Sequence, residues 1–236
     1  MKIKMTPPKL DNNININVLN GIALAVATNL VNPYYAKFAE RLGASEYQLA
    51  YLNSWPAFVS IFALIPGALI IESMGSKKRS TAGILLVHKI FFLLLAMVPF
   101  MDSIPKPWLF IGLVGLMNFP GSIYTMGYQS CIGDIFTASE RATAMSLRNK
   151  YSDLFRLGIT FLSGQLLTHL PKTDGQIILM YQVFFLIAFI FGILEYKSFS
   201  RFQVNEKSIS PMIKGRFKDT LKNAFDFVRK DRVFKL

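Results

Sequence analysis

Apolar stretches about as long as a bilayer crossing alternate along this chain with short polar ones. A helix needs about 20 mostly apolar residues to cross the hydrocarbon core. By that measure the pattern predicts spans over residues 14–39, 47–71, 81–101, 108–136 and 176–194. Between the last two, a polar connection at 137–143 leads into a further helix of two unlike halves. Its first half carries Arg148, Lys150, Asp153 and Arg156, and its second, 157–170, is apolar. That second half, about 14 residues, is too short to cross alone. The charged half is therefore expected to enter the membrane packed against other helices. The expected fold is an all-α membrane protein with about six transmembrane helices. Residues 1–13 form a cytoplasmic N-terminus, 14–195 a six-helix domain, and 196–236 a basic cytoplasmic loop.

Composition agrees with the pattern. The 236 residues are 52% hydrophobic and 17% charged, with a mean hydropathy of +0.37. Soluble domains carry about 25% charged residues. The net charge of +12 raises nucleic acid as a partner, but a nucleic-acid-binding domain gathers its Lys and Arg on one face. Here they sit between the apolar spans and after residue 195, which excludes that reading. With the N-terminus inside, the inner segments hold about 20 of the 26 Lys and Arg, against about four near the outer turns, as the positive-inside rule requires. The expected location is the cell membrane, multi-pass, with both the N-terminus and the C-terminal loop cytoplasmic. The asparagines at 15, 17 and 20 interrupt the apolar region a signal peptide needs, so the first helix is expected to be an anchor. Cys131 is single and has no disulfide or zinc partner at a suitable spacing. In the tail, Phe217, Leu221, Ala224, Phe225 and Val228 recur at helical spacing opposite Lys214, Lys218, Lys222 and Arg229. Such a segment either lies on the inner leaflet or forms a solvated linker helix.

The loop after the second span reads Ala68, Glu72, Gly75, Ser76, Lys77, Lys78, Arg79. It resembles the loop motif of the major facilitator superfamily: a Gly, an acidic residue four positions on, a Gly three further, then basic residues. Ala68 stands for the first Gly and Glu72 for the usual Asp. The Asp134–Arg148 connection, with Glu140 and Arg141, is similar to that superfamily's inner link between helices four and five. The basic segment from Glu195 is similar to its central loop. The resemblance covers 14–195 as an amino-terminal half and implies a carboxy-terminal six-helix half as partner. Six-helix halves of this kind contain two three-helix repeats, with interrupted, polar helices at matching positions near the binding site. Asn32-Pro33 with Tyr34 and Tyr35 in span one corresponds to Asn118-Phe119-Pro120-Gly121 with Tyr124 and Tyr128 in span four.

On that basis the substrate-cavity candidates are Asn29 and Asn32 on span one, and Tyr124, Tyr128 and Gln129 on span four. Interhelical hydrogen bonding is the alternative role for Asn29 and Asn32. His88 and Lys89 lie about 12 Å inside span three at 1.5 Å per residue, a depth at which charge is expensive and usually functional. Asp153 and Arg156 are read as an inner-side ion-pair network that Lys89 joins and that re-forms during transport. The alternative is a static pair with Lys89 snorkelling. Glu72, Lys77, Lys78 and Arg79 complete the gating or coupling candidates; as alternatives they only hold the loop inside.

The expected function is a secondary active transporter that moves a small solute by alternating access, with a proton or cation as the coupling partner suggested by His88 and Asp153. No cofactor, metal or catalytic residue is expected. A membrane enzyme needs clustered acids or histidines, whereas Asp11, Asp102, Asp134, Asp153 and Asp174 are scattered. The other alternative is a six-span accessory or scaffold protein working by association.

Overall fold

The computed structural model describes residues 8–73, 76–102 and 104–203. The amphipathic segment in 210–236 and most of the basic loop expected over 196–236 lie outside the described residues, as do residues 1–7 and the side chain of Glu72. All regular structure among the described residues is helical. In order these are α1 (Pro8–Asn29), a 3-10 turn (Asn32–Tyr34), α2 (Tyr35–Arg41), α3 (Glu46–Ser73), α4 (Lys77–Met97), a second 3-10 turn (Val98–Phe100), α5 (Lys106–Ile135), α6 (Ala138–His169) and α7 (Asp174–Ser200).

Among the described residues, four stretches are long and apolar enough to cross a membrane: Leu10–Arg41, Lys77–Phe100, Lys106–Ile135 and Asp174–Ser200. The other two long helices, α3 and α6, have 28 and 32 residues.

Local chemistry sets the helix boundaries, and several of them differ from the pattern-based expectation; α1 already begins at Pro8, six residues before the expected start. The polar connection at 137–143 is helical from Ala138. Thr137 and Glu140 form a capping box there, with the Thr137 N–H donating to Glu140 Oε2 at 2.9 Å, which satisfies donors that a helix start leaves free. Accepting from that N–H and from the Thr137 side chain holds the Glu140 carboxyl below the usual range. At the other end of the domain, α7 runs past residue 194 to Ser200, so Glu195 belongs to a helix rather than to a loop. A further difference concerns the two interruptions. Asn32-Pro33 does break its span, into the 3-10 turn between α1 and α2. Pro120 does not: α5 is continuous around it, as membrane helices tolerate when neighbours support the freed backbone.

The helices pack as a row. α1 lies against α6 and α7, α4 against α5 and α7, and α3 against α5. The spatial order is therefore α3, α5, α4, α7, α1, α6, with α3 and α6 each having one main neighbour. Their free faces expose Phe58, Ile61 and Phe62 on α3, and Leu154, Phe161 and Leu162 on α6. A surface this apolar suits lipid or a protein partner, not water.

Among the described residues three apolar clusters fill the interior, two large ones at the ends and a small one of Ala63, Ile71 and Ile123 between α3 and α5. At the end where Arg41 of α2 pairs with Asp174 of α7, Phe38 is fully buried among Phe110, Tyr181 and Phe185, with ring centroids 5.0, 5.4 and 5.2 Å away. At the opposite end, where α4 begins and α7 finishes, Ile16, Leu85, Ile132, Phe136, Phe199 and Phe202 form the second cluster. Lys78 marks this end, and it also holds the polar interior.

Candidate functional site

Lys89 on α4 and Glu195 on α7 form an ion pair, Nζ to Oε2 at 2.8 Å, and both side chains are 0% exposed. Gly192, three residues before Glu195, gives the lysine its channel. A Cβ at Gly192 would come within 2.7 Å of Lys89 Cγ and Cδ. From α1, Asn20 donates its amide to the Glu195 backbone carbonyl at 3.3 Å. Breaking a buried pair strands a charge, at about 3–5 kcal/mol, so such groups occur where they are matched.

A second polar layer adjoins the pair. The Tyr128 hydroxyl of α5 donates to Asn17 Oδ1 at 2.6 Å, and Asn17 donates to the Ala144 carbonyl of α6 at 3.2 Å. Arg148 of α6 lies over the Tyr128 ring, 4.9 Å from its centroid. Gly21 lets α6 approach this closely, since a Cβ there would sit 2.5 Å from both Arg148 Cγ and Ser152 Oγ. Arg148 Nε and Ser152 Oγ are buried without a hydrogen-bond partner among the described residues. Tyr124 packs between Tyr128 and Phe199, at centroid distances of 6.1 and 5.9 Å.

Below these layers the Lys78 end is tied shut by the backbone. Lys78 donates to the carbonyls of Ser200 and Phe202 at 3.1 and 2.9 Å, satisfying acceptors that a helix end leaves over. Asn13 pairs reciprocally with the backbone of Gln203, at 3.0 and 3.1 Å. Lys77 reaches Asp134 at the end of α5, at 3.3 Å.

The outer surface of α6 divides into three strips. Ala144, Ser152 and Ser163 face α1 and are buried. Leu154, Phe155, Phe161, Leu162 and Leu166 form an apolar exposed strip. Between them runs a polar strip, Ser146, Asn149, Asp153, Arg156, Thr160 and Thr168, all exposed. With Gly164 completing the series, the spacing of three and four keeps this strip on one face for the length of the helix.

The expected site residues divide among these regions. Tyr124 and Tyr128 point into the interior, while Gln129 is exposed, so the three do not share a face. A step of five residues turns a helix well past its starting face, whereas four nearly keeps it. Asn29 bonds within its own helix, to the Ala25 carbonyl at 2.8 Å and Thr28 Oγ1 at 3.3 Å, and Asn32 is exposed where the 3-10 turn opens. Of the basic run, Lys77 and Lys78 have the partners above and Arg79 is exposed. His88 packs edge-on to Phe92, 5.9 Å between centroids, and against Gly121.

Asp153 and Arg156 pair at 3.3 Å on the exposed strip. Lys89 neither joins them nor snorkels. It pairs with Glu195, because α4 packs on α7 while α6 lies at the far end of the row. Sequence reading missed Glu195, Asn17, Asn20, Arg148 and Ser152 as site residues. A signal for Glu195 was available: a lysine deep in a span needs a counter-charge, and Glu195 directly follows the apolar run 176–194.

Among the described residues, no three His, Cys, Asp or Glu side chains come together to hold a metal. Along α6 and in the junction of α1, α5 and α6 the described side chains offer hydrogen bonding and charge. A scan against protein-family models and searches of curated proteins and of solved structures found no match for this chain.

Proposed function

We propose that this chain forms a six-helix half of a secondary active transporter of the major facilitator type. In this reading α3 and α6 cross the cell membrane with the other four spans, the Lys78 end faces the cytoplasm, and a small solute moves by alternating access against a second six-helix half. The observation that carries the reading is the packing order. Exchange the triplet α1, α3, α4 with α5, α6, α7, and every main pairing maps onto another: α1–α6 onto α5–α3, α1–α7 onto α5–α4, and α4–α7 onto itself. That is the relation expected of two three-helix repeats.

The polar strip on α6 supports the same reading. Ionisable groups at membrane depth usually face a water-filled cavity or a protein partner, and Asp153 and Arg156 lie on the face that α1 leaves open. The test has two stages. In inside-out and right-side-out vesicles, single cysteines at Ser45, Ser76, Asp102, Ser139 and Asp174, in a Cys131→Ser background, should alternate in labelling side. The purified protein in proteoliposomes should then exchange a labelled solute across the bilayer. Labelling of Ser45 and Ser76 from the same side would refute the six-span reading.

A further inference from the structure

A second polar strip runs along α5. Asn118, Ser122, Thr125 and Gln129 follow one another at steps of four, three and four, which keeps them on one face. Thr125 and Gln129 are exposed, Asn118 and Ser122 half-buried. Leu109, Leu113 and Leu116 take the opposite side of the helix, and Leu116 is exposed. Like α6, α5 therefore has one polar and one apolar open side. Asn118 and Thr125 donate to carbonyls of their own helix, Val114 at 2.8 Å and Gly121 at 3.0 Å. Both keep acceptor capacity for another group.

The two strips open into one space. On α5, Thr125 and Gln129 each follow a residue turned toward α1: Tyr124 beside Asn20, and Tyr128 on Asn17. On α6, Asn149 and Asp153 each follow a residue packed on Gly21 of α1, namely Arg148 and Ser152. On α1, Gly21 itself follows Asn20. Each step of one residue turns a helix by about 100°, at 3.6 residues per turn. Seen from the Lys78 end, α1 and α6 advance clockwise, while α5 runs toward that end and advances anticlockwise. The three turns bring both strips into the angle between α5 and α6. Their depths overlap too. Counted from the Lys78 ends of the two helices at 1.5 Å per residue, Gln129 to Asn118 lie about 9–26 Å in, and Asn149 to Thr160 about 17–33 Å. Lys150 is one step further round α6, beside Tyr151, and turns away from this angle.

We propose that this angle is the solute site, and that the solute is a small uncharged molecule with several hydroxyl or amide groups. The proposal rests on the transporter reading and adds to it the place and class of solute. Asp153 and Arg156, the charged members of the two strips, already pair with each other at 3.3 Å. The other polar members offer hydroxyls and amides, which both donate and accept. A charged solute at this depth would need a counter-charge that is not already taken. A site built to hydrogen-bond hydroxyls instead rejects analogues that lack them. A zwitterion, which could divide the Asp153–Arg156 pair between its two charges, is the competing class, and the test separates the two.

The protein is reconstituted in proteoliposomes, and uptake is measured for labelled sorbitol, glucose, glycine, benzoate and tetraethylammonium. The expected result is uptake of sorbitol or glucose alone, reduced at least tenfold by Gln129→Leu and by Ser122→Ala. Leu116→Ala, on the opposite side of α5, should leave it unchanged. A check that needs no loss of function uses single cysteines in a Cys131→Ser background. The solute taken up should slow alkylation at Ser122→Cys and at Asn149→Cys, and not at Ser45→Cys in the turn before α3. Uptake of glycine or of a charged probe in place of the neutral ones would overturn the class and leave the transporter reading standing. Uptake of sorbitol or glucose that survives both α5 variants, with no protection at Ser122 or Asn149, would overturn the place. Uptake of none of the five would count against both the proposal and the transporter reading.

Discussion

At the Arg41 end, Phe38 is enclosed by Phe110, Tyr181 and Phe185, and the helices meet mainly through rings, with Gln182 donating to the Ala96 carbonyl at 2.8 Å and Arg41 pairing with Asp174 at the edge. At the Lys78 end the same bundle meets through Lys89 and Glu195, Tyr128 and Asn17, and Lys78 with the last carbonyls of α7. In a bilayer there is little hydrophobic gain in bringing two apolar helices together, so the aromatic end is held by close packing. The polar end is held by directional contacts that are specific to their partners. Packing forfeits energy gradually when an atom is removed, whereas a buried ion pair fails when either member is lost. The difference places the strongest pairwise dependence, and the capacity to exchange partners, at the end proposed to face the cytoplasm.

The largest expected effect is at the ion pair. Glu195→Ala should lower stability by about 3–5 kcal/mol by leaving Lys89 buried without a counter-charge. The double variant Lys89→Met with Glu195→Leu should recover most of it, as read by thermal unfolding in detergent. At the aromatic end, Phe38→Ala should lower stability by about 3 kcal/mol through the cavity it leaves. No single substitution of a neighbouring ring should rescue it, which a repacking series measured the same way would show.

Smaller effects sharpen the contrast further. Tyr128→Phe takes the donor from buried Asn17 and should lower stability by about 1–2 kcal/mol; unfolding titrations in mixed micelles have the resolution to detect it. Tyr34→Phe removes a 2.7 Å contact to Ser163 and should lower stability by about 0.6 kcal/mol, typical of membrane hydrogen bonds. If Tyr34→Phe proved more damaging than Tyr128→Phe, the two ends would not differ as described.

Hydropathy made the spans legible, because uninterrupted runs at Lys77–Phe100 or Asp174–Ser200 leave few other states open. The start of α6 was harder to see. Its polar first turns look like a loop until Thr137 and Glu140 are read together as a cap. Lys89 was recognised as a buried charge, but its partner was not. Glu195 follows the apolar run directly, and only the packing of α4 on α7 brings the two together across 106 positions of sequence. The spacing of Tyr124, Tyr128 and Gln129 reads as placing all three near one face, but only the two tyrosines are buried. Which way that face points depends on α1 and α7, which the spacing within α5 does not specify.

Cysteine accessibility along α6 tests the central claim most directly. In a Cys131→Ser background, single cysteines replace Asn149, Thr160 and Thr168 on the polar strip and Leu154, Phe161 and Leu162 on the apolar one. An impermeant thiol reagent is then applied to each side of sealed vesicles. The account predicts that the polar-strip positions react and the apolar ones are protected, which marks a membrane-crossing helix with one watered face. Equal protection of both strips would place the whole surface in lipid or protein. Equal reactivity would place α6 in water. Either result would contradict a solute pathway along α6.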